Sequence, residues 1–235
     1  MDDTDSMRHR TFSYVIALSA TIFAVGTFGI AICTPPISGP FAAELSTWYP
    51  FTDTADRFPR DFFWMYPAMA LHALYCILVA CIHENTGRDK RLFSRIGTVF
   101  SAVAASILIV DYFVQITVVQ PSLLNGEFDG IGLLSQYNPH GIFIALEEIG
   151  FIFMSLSFLA LAPVFFRKEG SPRAIGWVLG IAFVLALASL IGISLGFGLR
   201  REYRFEVAII SINWLTLIIF GVLISIQFKK RGMRF

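Results

Sequence analysis

Six uninterrupted apolar runs divide the chain: Thr11–Cys33, Phe62–Ile82, Ile96–Val119, Gly141–Phe166, Ala174–Leu199 and Val207–Phe228. A hydrocarbon core about 30 Å thick takes roughly 20 helical residues per crossing. Inside it a helix is the single-segment structure that satisfies its own backbone. The expected architecture is therefore all-α, a polytopic bundle of six transmembrane helices forming one domain over residues 1–235. Composition closes off the soluble alternative. With 56% hydrophobic residues, 15% charged residues and 24 Phe, the chain carries more apolar surface than one soluble core could bury. A net charge of +1 provides no basic field for a phosphate backbone, so nucleic acid is excluded as a partner and the lipid bilayer is the expected one. The first run is too long, and its flanks too poor in small-residue cleavage patterns, to read as a removable signal peptide.

Lys and Arg concentrate on the cytoplasmic side of membrane helices. Arg8, Arg10, Arg88, Lys90, Arg91, Arg95, Arg167, Lys168, Arg173, Lys229, Lys230, Arg231 and Arg234 fall on one side, against Arg57, Arg60, Arg200, Arg201 and Arg204 on the other. Both termini are thus predicted to be cytoplasmic in a plasma (inner) membrane, with the loops 34–61 and 120–140 facing outward. The first of these loops interleaves Pro35, Pro36, Gly39, Pro40, Pro50 and Pro59 with Trp48, Tyr49 and Phe51, a pattern of rigid turns carrying rings at headgroup level. In the second, Asn138-Pro139-His140-Gly141 predicts a cap followed by proline at the first helical position. Gly176, Gly180, Gly192 and Gly196 repeat at four-residue spacing, which permits close packing within the chain or a homo-oligomer. The three cysteines, Cys33, Cys76 and Cys81, give no disulfide framework. No phosphate-binding loop, haem-attachment or zinc signature occurs, so no cofactor is expected.

An ionisable side chain in hydrocarbon costs roughly 2.5–3.5 kcal/mol on insertion scales and marks a site by default. Asp111 and Gln115 share one face of the third run, with Gln120 at its outer end. Glu147 and Glu148 lie in the fourth, His72 follows an expected kink at Pro67 in the second, and Ser211, Asn213 and Trp214 lie in the sixth. At a rise of about 1.5 Å per residue, His72, Asp111, Glu147, Glu148 and Asn213 fall roughly 10–15 Å below the outer surface. These residues, with Gln115 and Trp214, are the candidate lining of one outer-half pocket. Glu147 and Glu148 point about 100° apart, so one of them is central at most. No Lys or Arg lies deep in a span, so these carboxylates are expected to share protons with each other or with His72, or to meet a bound cation. The plainer alternative is a satisfied hydrogen-bond network that holds the helices together. Arg57, Arg60 and Arg204 form a charged outer rim, together with Asp61, Tyr203 and Glu206 beside them. Met65, Met69, His72 and Cys76 make one stripe of soft ligands, but a single stripe cannot enclose copper, and a metal site is not expected. His72, His83 and His140 sit at depths too different for paired haem ligation.

The segments Pro59-Arg60-Asp61, Trp64-Met65-Tyr66-Pro67, Asp111-Tyr112-Phe113, Val119-Gln120-Pro121-Ser122, Tyr137-Asn138-Pro139-His140-Gly141 and Arg201-Glu202-Tyr203-Arg204-Phe205-Glu206 resemble a family of uncharacterised six-span prokaryotic integral membrane proteins. The resemblance implies the same bundle over nearly the whole chain and carries no activity. Three functions remain open to the residues. The first is a membrane protein, a sensor or accessory subunit, that binds a small amphipathic or lipid-like ligand in the outer-half pocket. The second is an intramembrane acid/base enzyme in which a Glu and His72 exchange protons with a lipid-like substrate. The third is a proton or cation transporter. It is weakened by the absence of an internal repeat and of polar groups in the inner half.

Overall fold

The structure is a computed structural model that describes residues 3–34, 49–166, 171–201 and 203–230. The loop positions Pro35, Pro36, Gly39, Pro40 and Trp48, together with Arg167, Lys168, Glu202, Arg231 and Arg234, lie outside the described residues. Six long helices account for nearly everything else: α1 (Asp3–Cys33), α2 (Met65–Glu84), α3 (Arg91–Val114), α4 (Ile142–Phe165), α5 (Ser171–Phe197) and α6 (Tyr203–Lys229). All six are long and apolar enough to span a bilayer, so this is a multi-pass membrane protein. Each helix packs on the next in sequence, α6 closes the ring against α1, and α4 also reaches α6 across the middle. In consequence α4 is the most enclosed helix and α5 the most exposed.

The helix ends follow local chemistry. At the end of α2, Asn85 Nδ2 donates to the Cys81 carbonyl at 2.7 Å and Thr86 Oγ1 to the Ile82 carbonyl at 2.6 Å, satisfying carbonyls that a helix terminus leaves open. Pro67 does not kink α2 mid-course as its position in the second apolar run implied. The helix begins only at Met65, so the proline falls in the first turn, where no backbone donor is required. Pro121 does act on its surroundings. Its missing N–H and its clash with the carbonyl of Thr117 disrupt the α-helical ladder, and α3 passes through a π turn at Gln115–Val119 into a short helix, Gln120–Asn125. At the head of α4 the cap differs from the expected one. Asn138 Oδ1 accepts from the His140 N–H at 3.0 Å and its Nδ2 donates to the Gly132 carbonyl at 2.8 Å, so the asparagine closes a turn, and the helix starts beyond it at Ile142.

The bundle is cemented by small residues and a few buried polar links, as expected where lipid offers no hydrophobic drive for association. A Cβ on Gly221 would lie 2.1 Å from Thr21 Oγ1, fixing the approach of α6 to α1, and one on Gly150 would lie 2.6 Å from Leu108 Cγ, fixing that of α4 to α3. Tyr75 donates to Ser157 Oγ at 2.8 Å, and Ser157 donates to the Gly97 carbonyl at 2.8 Å, tying α2, α4 and α3 in one chain. Of the α5 glycines, Gly176 closes on Phe166 and the Ala162 carbonyl, whereas Gly180, Gly192 and Gly196 have no atom within 4 Å of a built Cβ.

One end of the bundle, where α1, α3 and α5 finish and α2, α4 and α6 begin, carries a folded cap. The 3-10 turn Thr52–Arg57 packs beside the short helix Gln120–Asn125, with Ala55 and Leu134 against Leu123 and Ile131, and a second 3-10 turn, Arg60–Phe62, follows before α2. Tyr137 donates to Asp61 Oδ2 at 2.8 Å and ties the cap's two segments together.

Candidate functional site

Beneath this cap lies a cavity of about 310 Å3, roughly ten water volumes at about 30 Å3 each. Its wall is assembled from four places: Phe28, Ala31, Ile32 and Thr34 at the end of α1; Asp61 and Trp64 before α2; Gln136, Phe143 and Ile144 around the start of α4; and Tyr203, Glu206, Val207, Ile210, Ser211 and Trp214 on α6. Most of the wall is aliphatic or aromatic. Trp64 lies edge-on to Trp214 with centroids 6.0 Å apart, and Phe28 lies edge-on to Trp214 at 5.9 Å. The polar groups gather toward the cap. Ile32 and Val207, one from each helix, stay exposed on the bundle's outer surface.

Of the residues that depth singled out in the sequence, Trp214 lines this cavity; His72, Asp111, Gln115, Glu147, Glu148 and Asn213 are not among its lining residues. They are distributed among three kinds of setting. Gln115 holds the cap, donating from Nε2 to the Leu134 carbonyl at 2.6 Å and accepting the Gln136 N–H at 3.1 Å. Asn213 bridges α6 to α4: its Nδ2 donates to Ser155 Oγ at 3.1 Å and to the Ile209 carbonyl at 2.9 Å. That is helix–helix glue of the ordinary kind. Glu148 is ion-paired with Arg201. The expectation that the carboxylates have no cationic partner therefore fails for this residue. Arg201 belongs to the turn between α5 and α6, and its long side chain reaches inward past the helix end.

The remaining groups form one buried cluster behind the cavity. Glu147 is fully enclosed and accepts a hydrogen bond from Tyr112 at 2.7 Å. Its carboxyl neighbours that of Glu206. Oε2 of Glu147 and Oε2 of Glu206 find no N–H or O–H donor among the described residues. Carboxylate oxygens only accept, so a hydrogen bond between these two carboxyls would need a proton on one of them. Asp111 lies near Glu147, buried, with Oδ2 unpartnered. His72 packs its ring 5.8 Å from that of Tyr112, with Nδ1 bound to the Ala68 carbonyl at 2.6 Å and Nε2 unpartnered. Glu206 thus links the two regions, lining the cavity on one side and touching Glu147 on the other.

The rim arginines are each engaged. Arg60 pairs with Asp61, Arg57 sits 5.9 Å over the Tyr137 ring, and Arg204 sits 4.3 Å over the Phe197 ring while donating to the Arg200 carbonyl at 3.2 Å. Burial and the Asp61 carboxylate push the Tyr137 hydroxyl above the usual tyrosine range, keeping it a donor to Asp61.

Sequence reasoning placed Asp61, Tyr203 and Glu206 at the rim and passed over Phe28 and Gln136. The available signal was the position of Glu206 one turn inside the start of an apolar run, at the level where cap and helices meet. Gln136 Nε2 and Trp214 Nε1, both on lining residues, are buried without an acceptor among the described residues, so the described cavity wall holds unused donors as well as the Glu206 carboxyl. Among the described residues no three His, Cys, Asp or Glu side chains converge on a common point that could hold a metal ion. No family model, curated protein or solved structure matches this chain.

Proposed function

We propose that this membrane protein binds a small amphipathic or lipid-like molecule in the cavity beneath the cap, in a sensor or accessory role. The observation that carries the reading is the lining itself: an apolar wall of Phe28, Ile32, Phe143, Ile144, Val207 and Ile210, with unused polar groups of Gln136, Glu206 and Trp214 beside it. Apolar pockets with a few convergent polar groups are the usual form of small-molecule sites, and about 310 Å3 lies at the lower end of their range. The wall between α1 and α6 supports entry from the bilayer, since Ile32 and Val207 are exposed where acyl chains would lie. On the Lys and Arg distribution, the cap faces outward from a plasma membrane and both termini are cytoplasmic.

Native mass spectrometry with lipid analysis, on protein gently extracted from its membrane, tests the binding. A stoichiometric co-purifying molecule that is lost on Glu206→Gln supports it; an empty protein at all loads overturns it. Orientation is read separately. In a Cys33→Ser background, which removes the exposed native thiol, a membrane-impermeant thiol reagent on intact cells should label Asp129→Cys and spare Arg88→Cys, and the reverse would invert the topology.

The buried acid cluster favours a second reading, an intramembrane acid/base enzyme. A carboxyl that shares a proton and touches the cavity has the position a general acid needs. It would show as turnover of the co-purified molecule in place of simple retention.

A further inference from the structure

We propose that the headgroup taken by this cavity is a protonated amine, and that it docks on Glu206 in exchange for the proton shared by Glu206 and Glu147. This deepens the binding reading above and rests on it. Among the described residues of the wall, the charged ones are Asp61 and Glu206, and none is Lys or Arg. Asp61 is already served by Arg60 and by the Tyr137 hydroxyl. Glu206 is different: Oε2 meets no donor among the described residues, and Arg201, the cation that reaches inward nearby, is engaged by Glu148.

The cavity also supplies the second element of ammonium recognition. Phe28, Trp64 and Trp214 present three aromatic rings with neighbouring centroids 5.9 and 6.0 Å apart. A cation within about 6 Å of such faces is attracted by the ring quadrupoles. An anionic head, by contrast, would approach Glu206, with Glu147 and Asp111 behind it, and like charges disfavour it.

The exchange balances without any further reactant. The carboxyl pair carries one proton, the amine arrives as R–NH3+, the ammonium replaces that proton as the neutralising charge, and one H+ leaves to water. No covalent bond to carbon forms or breaks. The groups that face the pair are Glu148, held by Arg201, from α4; Tyr112 and Asp111 from α3, with His72 of α2 behind Tyr112; and Tyr203 and Asp61 from the cavity side. All are already buried, paired or hydrogen-bonded, or more remote from the cavity than Glu206, so the shared proton is the one that an entering cation displaces.

The full chain in lipid nanodiscs is titrated calorimetrically at pH 7 with decylammonium, decanol and decanoate, with empty nanodiscs as the baseline. Each titration is repeated in phosphate and in Tris, whose different ionisation heats count the protons released. Decylammonium is expected to bind at least tenfold more tightly than the other two and to release close to one proton. Glu206→Gln should abolish both the preference and the release. Equal binding of decanol and decylammonium, or tight binding with no proton released, overturns the amine exchange and leaves the binding reading standing. Failure of all three to exceed empty nanodiscs overturns the binding reading itself. Should Glu206→Gln fail to fold, the ranking of the probes and the proton count on the unaltered chain decide the matter.

Discussion

Replacing Gly150 by Ala puts a methyl group where α3 presses on α4. The new Cβ would stand 2.6 Å from Leu108 Cγ and 2.7 Å from its Cδ2, against about 3.5–4.0 Å for carbon atoms at rest. Recovering that deficit of about 0.9 Å requires Leu108 to leave its rotamer or the helices to part. Leu108 is fully buried, so the space around its other rotamers is already filled. Overpacking of this kind costs about 1–3 kcal/mol. Ala also gains about 1 kcal/mol over Gly in a helix interior. The proper comparison is therefore Gly180→Ala, which has the same gain and no atom within 4 Å of the new methyl. The expected difference between the two variants is about 1–3 kcal/mol, Gly150→Ala being the less stable.

Thermal unfolding in one mild detergent reads this difference. A thiol-reactive dye reports half-buried Cys76 and buried Cys81 in a Cys33→Ser background, which removes the exposed thiol. Adding Leu108→Ala deletes the atoms that clash, so the double variant should show coupling of about 0.5–3 kcal/mol. The consequence extends to the acid cluster. Gly150 is one turn from Glu147 and Leu108 one turn from Tyr112, so parting α3 from α4 stretches their 2.7 Å hydrogen bond. Equal stability of Gly150→Ala and Gly180→Ala, or no coupling with Leu108→Ala, would refute the reasoning.

Three other perturbations probe the cap and the partnered acid. Arg201→Ala strands Glu148; breaking a fully buried pair costs about 3–5 kcal/mol, but Arg201 is 33% exposed, so about 1–3 kcal/mol is expected after screening. Most of that loss should return in Glu148→Gln/Arg201→Ala, and thermal unfolding showing no recovery would count against the pair. Tyr137→Phe removes the donor on Asp61 and should cost about 1–2 kcal/mol. Because the folded-state group is raised above its unfolded value of about 10, that contribution is complete below about pH 10 and falls as pH rises further. Unfolding of the two proteins compared from pH 7 to 11 should show a gap that is constant and then narrows, and narrowing already below pH 9 would contradict the assignment. Gln115→Ala frees the backbone at 134–136, and hydrogen exchange at the Gln136 amide should quicken by about tenfold. An unchanged rate would mean the cap is held by other contacts.

The existence of the six spans was legible, with ends displaced by up to eight residues, as at α1, which starts at Asp3 where Thr11 was expected, whereas the inner arrangement of the acids was not. The predicted Gly141–Phe166 became Ile142–Phe165, and Ala174–Leu199 became Ser171–Phe197, with the basic and proline-rich borders setting the ends. Pro67 and Asn138 were misplaced for a common reason. Each effect depends on where the first helical turn starts, and apolarity locates that start only to within a few residues. The π turn at Gln115–Val119 follows from Pro121, a signal that was present but requires knowing that α3 continues past it.

By itself the sequence determined that the chain crosses a membrane six times as helices, because apolar run length against bilayer thickness is a local quantity that no distant contact alters. It also determined that Glu147 and Glu148 diverge, since one residue turns a helix by about 100°. The tertiary structure decided which of them turns inward. The rotation of α4 about its axis is fixed by the fit of Gly150 on Leu108, a contact 42 residues apart in the chain. That rotation turned Glu148 to Arg201 and Glu147 to Glu206, partners that lie on other elements. It left Glu206, a residue that sequence position assigned to the rim, between the cavity and Glu147, because where a side chain lies relative to its neighbours is a property of packed helices and not of any one of them.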